Sequence, residues 1–215
     1  DPGVRAIILD IDSPGGSVYG IAELADEIYA ARSIKPVVAI ANAAAFSAAY
    51  WIASAAGEIV VTPSGQVGSI GVFSAHKDMS KALEDVGVKM TLISAGKFKT
   101  EGNPFEPLSD EAREAAQHVV DEYYAQFIGA VARNRGAGVS AVSSGYGQGR
   151  VVNAKEAVRM GMADRVGTLG ETIQRLLPRN ARGAGAVAAE AGQRVAATDM
   201  NALAGALAAK LREAL

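Results

Sequence analysis

The sequence predicts an α/β protein with a mainly parallel sheet, and three observations carry that prediction. Short apolar runs rich in β-branched residues recur along the chain. Segments with helical apolar spacing separate them. The turns between the two are made of Gly, Pro, Ser and Asp. The first unit is the clearest. Val4 to Ile11 (VRAIILDI) reads as a buried strand and Asp12 to Gly16 (DSPGG) as a tight turn. From Ser17 a helix begins, whose Val18, Ile21, Leu24, Ala25 and Ile28 share one face, and Pro36 to Ala41 (PVVAIA) is the next strand. Strand, helix and strand in that order make a right-handed βαβ unit with parallel strands.

The stretch that organises the rest is Asn42 to Ala56 (NAAAFSAAYWIASAA), a loop of small residues ending in Ser47 and followed by an alanine-rich apolar helix. Beyond it, Glu58 to Val61 and Val67 to Phe73 read as strands, Met79 to Val86 as a short helix and Val88 to Ile93 as another strand. Ser94 to Leu108 (SAGKFKTEGNPFEPL) is a long irregular loop, a length at which loops are usually functional. Ser109-Asp110-Glu111 opens a long helix to Arg135, its first turn acidic as the helix dipole favours. A strand at Gly149 to Val152, a helix at Asn153 to Met160, a strand at Ala163 to Val166 and a helix at Leu169 to Leu177 close the domain, which spans residues 1–178. Residues 179–198 are Ala, Gly and Arg without apolar periodicity, a linker composition, and residues 199–215 form an amphipathic helix with Met200, Leu203, Leu207 and Leu211 on one stripe.

Composition removes whole classes of function. At 215 residues with net charge −2, the chain has no basic surplus to hold nucleic acid. It contains no cysteine, so disulfides, thiol nucleophiles and thiolate metal sites are excluded. No apolar run approaches the roughly 20 residues that cross a bilayer, and no signal-peptide pattern opens the chain. Its first residue is Asp1 rather than methionine, which leaves a preceding leader or anchor open.

Ser47 lies where a buried strand turns into a helix, a geometry that lifts a hydroxyl above the sheet edge beside helix N-terminal N–H groups. It is a candidate nucleophile; the plainer role is that of a helix N-cap. A serine nucleophile needs a base. His118 falls inside the long helix and reads as a surface residue, while His76 follows the VGSIGVF run. A lysine can replace histidine if burial lowers its pKa, and the long loop offers Lys97 and Lys99, with the hydroxyl of Ser69 available as a neighbour. An oxyanion needs two N–H donors: Ala48, next to Ser47, can supply one, and the glycines of DSPGG the other.

Four segments, DSPGG (12–16), KPVVAIANAAAFSAAYWIASAA (35–56), VGSIGVF (67–73) and SAGKFKTEGNPFEPLS (94–109), resemble, in order and spacing, the S49 peptidases, which comprise signal peptide peptidase A and the phage protein C capsid-maturation proteases. The resemblance runs from Asp1 to Leu177. It implies a Clp/crotonase-like fold of repeated ββα and βαβ units, with a mainly parallel sheet and helices outside, and a Ser/Lys dyad that uses no metal or cofactor. Segment by segment, the family's nucleophile falls on Ser47, its general base on Lys99 rather than Lys97, and its lysine-orienting serine on Ser69. Its oxyanion amides fall on Gly16 and Ala48, with Gly15 as a further candidate. Where the family commonly has two glycines after the nucleophile, this chain has Ala48 and Ala49, which should narrow the pocket beside Ser47. The family's N-terminal anchor and first strands have no counterpart before Asp1.

The resemblance further implies a peptide or protein substrate and a homo-oligomeric ring in which neighbouring subunits share active sites. The missing anchor and the tail beyond Leu177 favour the phage head-maturation type, located in the host cytoplasm or the virion. The rival is a signal peptide peptidase that degrades cleaved leader peptides, membrane-associated if an anchor was removed. Remoter alternatives are a crotonase acting on acyl-CoA, which needs neither Ser47 nor Lys99, and a catalytically silent assembly protein.

Overall fold

The computed structural model describes residues 3–177; the expected linker and terminal helix lie outside the described residues. The order of elements is strand β1 (Ile7–Ser13), helix α1 (Ile21–Ala31), strand β2 (Val37–Phe46), helix α2 (Ala48–Ser54), strands β3 (Glu58–Val61) and β4 (Gln66–Gly68), and helix α3 (Ser80–Asp85). Helices α4 (Asp110–Arg135) and α5 (Val139–Gly145), strand β5 (Val151–Asn153), helix α6 (Ala154–Arg159), strand β6 (Arg165–Val166) and helix α7 (Leu169–Leu176) follow. The six strands form one sheet, parallel throughout except where β4 meets β5.

β2 is the axis of the sheet, and it forks. Its first half pairs with β1 on one side and β3 on the other; its last three residues, Ala44 to Phe46, pair with β4 instead. A strand covered on both faces is apolar throughout, and Val37 to Ala41 are all buried. The pleat sends alternate residues to opposite sides. Ala39, Ala41, Ile59 and Val61 enter the main core with Tyr50, Trp51 and Phe127, whereas Val38, Ile40 and Val60 face Ile8, Leu169 and Leu176, so α7 covers the far side.

The alanines of α2 let it sink into that core: six of its seven residues are buried. Trp51 stacks on Phe127 of α4, centroids 4.7 Å apart and planes 7° from parallel. Burial pushes the Tyr50 phenol well above its ordinary pKa, and its hydroxyl donates to the Met162 carbonyl at 2.9 Å. Asn134 Nδ2 donates to Ser54 Oγ at 2.9 Å, tying α4 to the end of α2. α4 itself follows from its ends: Ser109 Oγ accepts the Ala112 N–H at 3.1 Å, and Gly136 leaves the helix in the left-handed conformation at φ 63°.

Several boundaries differ from the sequence expectation. β1 starts at Ile7, and α1 starts only after left-handed Gly20 at φ 78°. The run expected as a strand from Val67 to Phe73 is paired only over Gln66–Gly68, because Gly68 (φ 120°) and Ser69 (φ 55°) turn it off the ladder. Val88 to Ile93 is not a strand: no described strand lies beside it, so its alternating Val88, Met90 and Leu92 stay exposed. α5, short and bracketed by glycines, carries too little apolar periodicity to be read from the sequence.

Candidate functional site

The last residues of β2 set up the site. Phe46 is held in the sheet opposite Gly68, the Ser47 N–H donates to the Gly68 carbonyl at 2.8 Å, and the Ser47 carbonyl accepts from Tyr50 and Trp51 at 2.9 and 3.0 Å. Those bonds hold Ser47 at φ 53°, ψ −124°, a conformation that a non-glycine residue rarely adopts and that must be maintained by its surroundings. The Ser47 side chain makes no capping bond to α2. The plain N-cap role is therefore absent, and the hydroxyl is left at the mouth of a cleft of about 540 Å3 whose walls include Gly15, Gly16, Ser69, Val72, Phe73 and Gly149.

The DSPGG turn meets this serine directly. Gly15 has φ 94°, and a Cβ built on it would stand 2.7 Å from the Phe46 carbonyl oxygen, 2.7 Å from Ser47 Cβ and 3.1 Å from the Ala48 nitrogen. Only glycine permits that approach. The Gly15 N–H donates to Ser13 Oγ at 3.2 Å, whereas among the described residues no backbone acceptor takes the N–H of Gly16 or of Ala48. Gly16, which lines the cleft with Ser47, and Ala48, which follows Ser47 in the chain, thus keep unengaged amides. A second, smaller hollow of about 220 Å3 adjoins them, lined by Ile11, Ile21, Ala48, Ala49 and Ile52; it offers apolar surface and no charged side chain.

Ser69 lines the same cleft as Ser47. Its N–H donates to the Arg150 carbonyl at 2.9 Å, and its backbone is left-handed like that of Ser47. The Arg150 carbonyl comes from a turn, Gly147 to Gly149, in which three consecutive residues have positive φ (82°, 49° and 87°). Sequence reasoning overlooked this turn. Its signal was the Gly-Gln-Gly triplet ahead of β5.

The structure therefore brings Ser47, Ser69, Gly15, Gly16 and Ala48 together. It does not bring Lys99 to them. Lys99 is exposed on the turn-rich loop 95–102 and is not among the cleft's lining residues. Lys97 is engaged elsewhere: its Nζ donates to Glu111 Oε1 at 3.0 Å and lies 4.3 Å from the centre of the Phe98 ring. His76 Nε2 lies 2.8 Å from the Asn103 carbonyl oxygen, and His118 faces Glu122 on the exposed side of α4 at 3.7 Å. Neither histidine lines the cleft. Among the described residues no helix is long and apolar enough to cross a membrane.

At this site a strained serine on a strand-to-helix turn has one glycine, Gly15, pressed against it, and the amides of Gly16 and Ala48 are unengaged. The Peptidase family S49 profile matches residues 29–181, and the chain belongs to that family. It is 41% identical over 166 residues to capsid assembly protease C of Escherichia phage lambda, covering 77% of this chain and 37% of that protein. It is 38% identical over 173 residues to the head-tail preconnector protein GP5 of Enterobacteria phage P21, covering 80% and 34%. A protein of Enterococcus faecium named as a candidate signal peptide peptidase, SppA, is 29% identical over 177 residues, covering 82% and 51%. The chain thus spans about a third of the length of the two phage relatives. Among solved structures, a mutant of the 1510-N membrane-bound stomatin-specific protease superposes with a TM-score of 0.50 at 17% identity, covering 81% of this chain and 70% of that one. This likeness shows the fold alone: an α/β domain with a mainly parallel sheet.

Proposed function

We propose that this domain is a serine endopeptidase in which Ser47 is the nucleophile and Lys99, supplied by a neighbouring subunit of a homo-oligomeric ring, is the general base. The observation that supports this reading is the site itself: a strained Ser47 lining a cleft with the unengaged amide of Gly16 and the hydroxyl of Ser69, next in sequence to the unengaged amide of Ala48, and with no base among the cleft's lining residues. The neutral Lys99 amine takes the Ser47 Oγ proton as the oxygen attacks the peptide carbonyl. The N–H groups of Gly16 and Ala48 receive the developing oxyanion. The lysine then returns the proton to the leaving amine, and water hydrolyses the acyl-serine by the reverse route. Ser69 hydrogen-bonds the lysine and orients it. The hollow beside Ala49 and Ile52 takes a small or medium apolar side chain of the substrate.

The loop that carries Lys99 supports the shared site. Residues 71–99 are largely exposed, and they present Phe73 (87% exposed), Val86, Val88, Met90, Leu92, Ile93 (96%) and Phe98. Apolar surface on that scale marks an interaction site, and a lysine base needs the dry surroundings that an interface provides. The decisive experiment is mixing. Ser47→Ala and Lys99→Ala proteins, each inactive alone, are combined under conditions that exchange subunits. Recovered peptidase activity is the expected result; a mixture that stays inactive although exchange is demonstrated places both residues of the dyad in one chain.

The biological role that the relatives favour is processing of scaffold or capsid proteins during phage head assembly, in the cytoplasm or the virion, since two of the most similar relatives are a capsid assembly protease and a head-tail preconnector protein. Degradation of cleaved leader peptides is the second reading, supported by the similarity to SppA of Enterococcus faecium.

A further inference from the structure

The pairing of β1 with β2 slips just before the site. Ile11 faces Ala41 and Ser13 faces Ala45, so on β1 Asp12 alone stands opposite Asn42, Ala43 and Ala44. Extra residues on one strand form a bulge, which bends the strand and takes N–H groups off the ladder. Here two of those N–H groups, from Ala43 and Ala44, converge on one oxygen, Asp12 Oδ1, at 3.3 and 3.2 Å. Asp10 lies two residues earlier on the same face of β1, and its Oδ1 accepts Asn42 Nδ2 at 3.2 Å.

This bulge is where β2 leaves β3 and joins β4. Ser47 follows Ala44 by three residues, just past the end of β2, and Gly15 follows Asp12 by three residues, just past the end of β1. Those two segments meet where the Gly15 Cβ position and Ser47 Cβ are 2.7 Å apart. We propose that Asp12 is a positioning residue: its carboxylate clamps the β2 bulge and so fixes the spacing between Ser47 and the Gly15–Gly16 turn. Asp12 touches no reacting atom. It acts through the backbone of Ala43 and Ala44, and the proposal rests on the reading of Ser47 as the nucleophile.

A displacement of an ångström at a reacting group costs about 100-fold in rate, so loss of the clamp should appear in kcat far more than in KM. The test compares Asp12→Ala, Asp12→Asn and Ser47→Ala in the full chain, measuring kcat, KM and melting temperature on one apolar peptide substrate. Asp12→Ala is expected to lower kcat at least about tenfold with KM within about threefold. Asp12→Asn keeps an oxygen that accepts the same two N–H groups, so its kcat should stay within about tenfold of the parent and above that of Asp12→Ala. Should Asp12→Ala not fold, Asp12→Glu replaces it, since the extra methylene moves the carboxylate off the bulge; the same thresholds apply. An alanine or glutamate variant with kcat within tenfold of the parent overturns the proposal, as does an asparagine variant that loses as much as they do. Turnover by Ser47→Ala would instead overturn the nucleophile assignment, and that result is separate from any result at Asp12.

Discussion

Two regions of this molecule carry the two halves of the proposed dyad, and they are built in opposite ways. Ser47 sits between β2 and α2, where residues 37–41 and almost all of α2 are buried and the Ser47 backbone is bonded on both sides. Lys99 sits at the end of residues 71–99, where scarcely a side chain is buried and large apolar groups face outward. The first region is complete within one chain. The second has apolar groups without a packing partner among the described residues, the arrangement of a surface made to be covered. A nucleophile needs rigid geometry before substrate arrives, whereas a base whose pKa depends on burial can be completed by assembly.

The largest effect should come from the rigid half. Ser47→Ala removes the attacking oxygen but no capping bond, so hydrolysis should fall to background while the melting temperature stays within a few degrees. Peptide turnover and thermal unfolding of the same preparation check both points, and residual turnover of a few per cent by a clean sample would falsify the assignment.

Next in size is the exposed half. Lys99→Ala should be as damaging as Ser47→Ala, because the dyad works as a unit. Lys97→Ala, which breaks an exposed pair with Glu111 worth at most about 1 kcal/mol, should leave most activity. A His76→Ala protein as inactive as Lys99→Ala, or a Lys99→Ala protein that keeps most activity, would mean that another group is the base.

The comparison sharpens further at the apolar arm. Ile93→Asp, alone or with Phe73→Asp, places charge on surface that the described residues leave exposed. The expected outcome is a smaller oligomer, with activity lost in proportion and helix content unchanged by circular dichroism. An unaltered mass in light scattering would show that this surface is not the interface.

The smallest effect belongs to the scaffold beneath the rigid half. Asp164 takes the Arg135 guanidinium through two bonds of 2.8 and 3.0 Å and the Ile59 N–H at 2.7 Å. Burial alone would raise its pKa, but those bonds outweigh it and hold the carboxyl below its usual range. A lowered folded-state pKa means that the stabilisation is fully present above the ordinary carboxylate value and is lost as pH falls through the folded value. Below about pH 4, therefore, the parent should lose this contribution to its melting temperature. Asp164→Asn should lack it at neutral pH, by roughly 2–4 °C per kcal/mol, and should show a shallower acid dependence. Parallel acid dependences would exclude Asp164 from the acid response.

How much was legible in the sequence differs between the same two regions. In β1, α1, β2 and α2 the local pattern and the tertiary packing agree on the elements, though not on their ends, since Asn42–Phe46, expected as a loop, continues β2; the strand-to-helix turn at Ser47 and the glycine turn at Gly15 and Gly16 could be read directly. In residues 67–93 they conflict. VGSIGVF and VKMTLI have strand patterns, but only Gln66–Gly68 finds a partner strand, and pattern cannot say whether a partner lies within reach.

By itself, then, the sequence determined the α/β class, the elements of the nucleophile region, the chemical types at the site and membership of the S49 family. Only the tertiary structure decided that Ser47 is held at φ 53° without acting as a cap, that the Gly15 amide is taken by Ser13 while those of Gly16 and Ala48 are unengaged, and that Asp12 gathers the β2 bulge. It also decided that Lys99 is apart from the cleft that it was expected to serve. The reason is physical. Periodicity and turn chemistry act between neighbours in sequence, whereas backbone angles in a strained turn, the ownership of an N–H and the distance from a loop to a cleft are set by segments far apart in the chain that meet only when the sheet has formed.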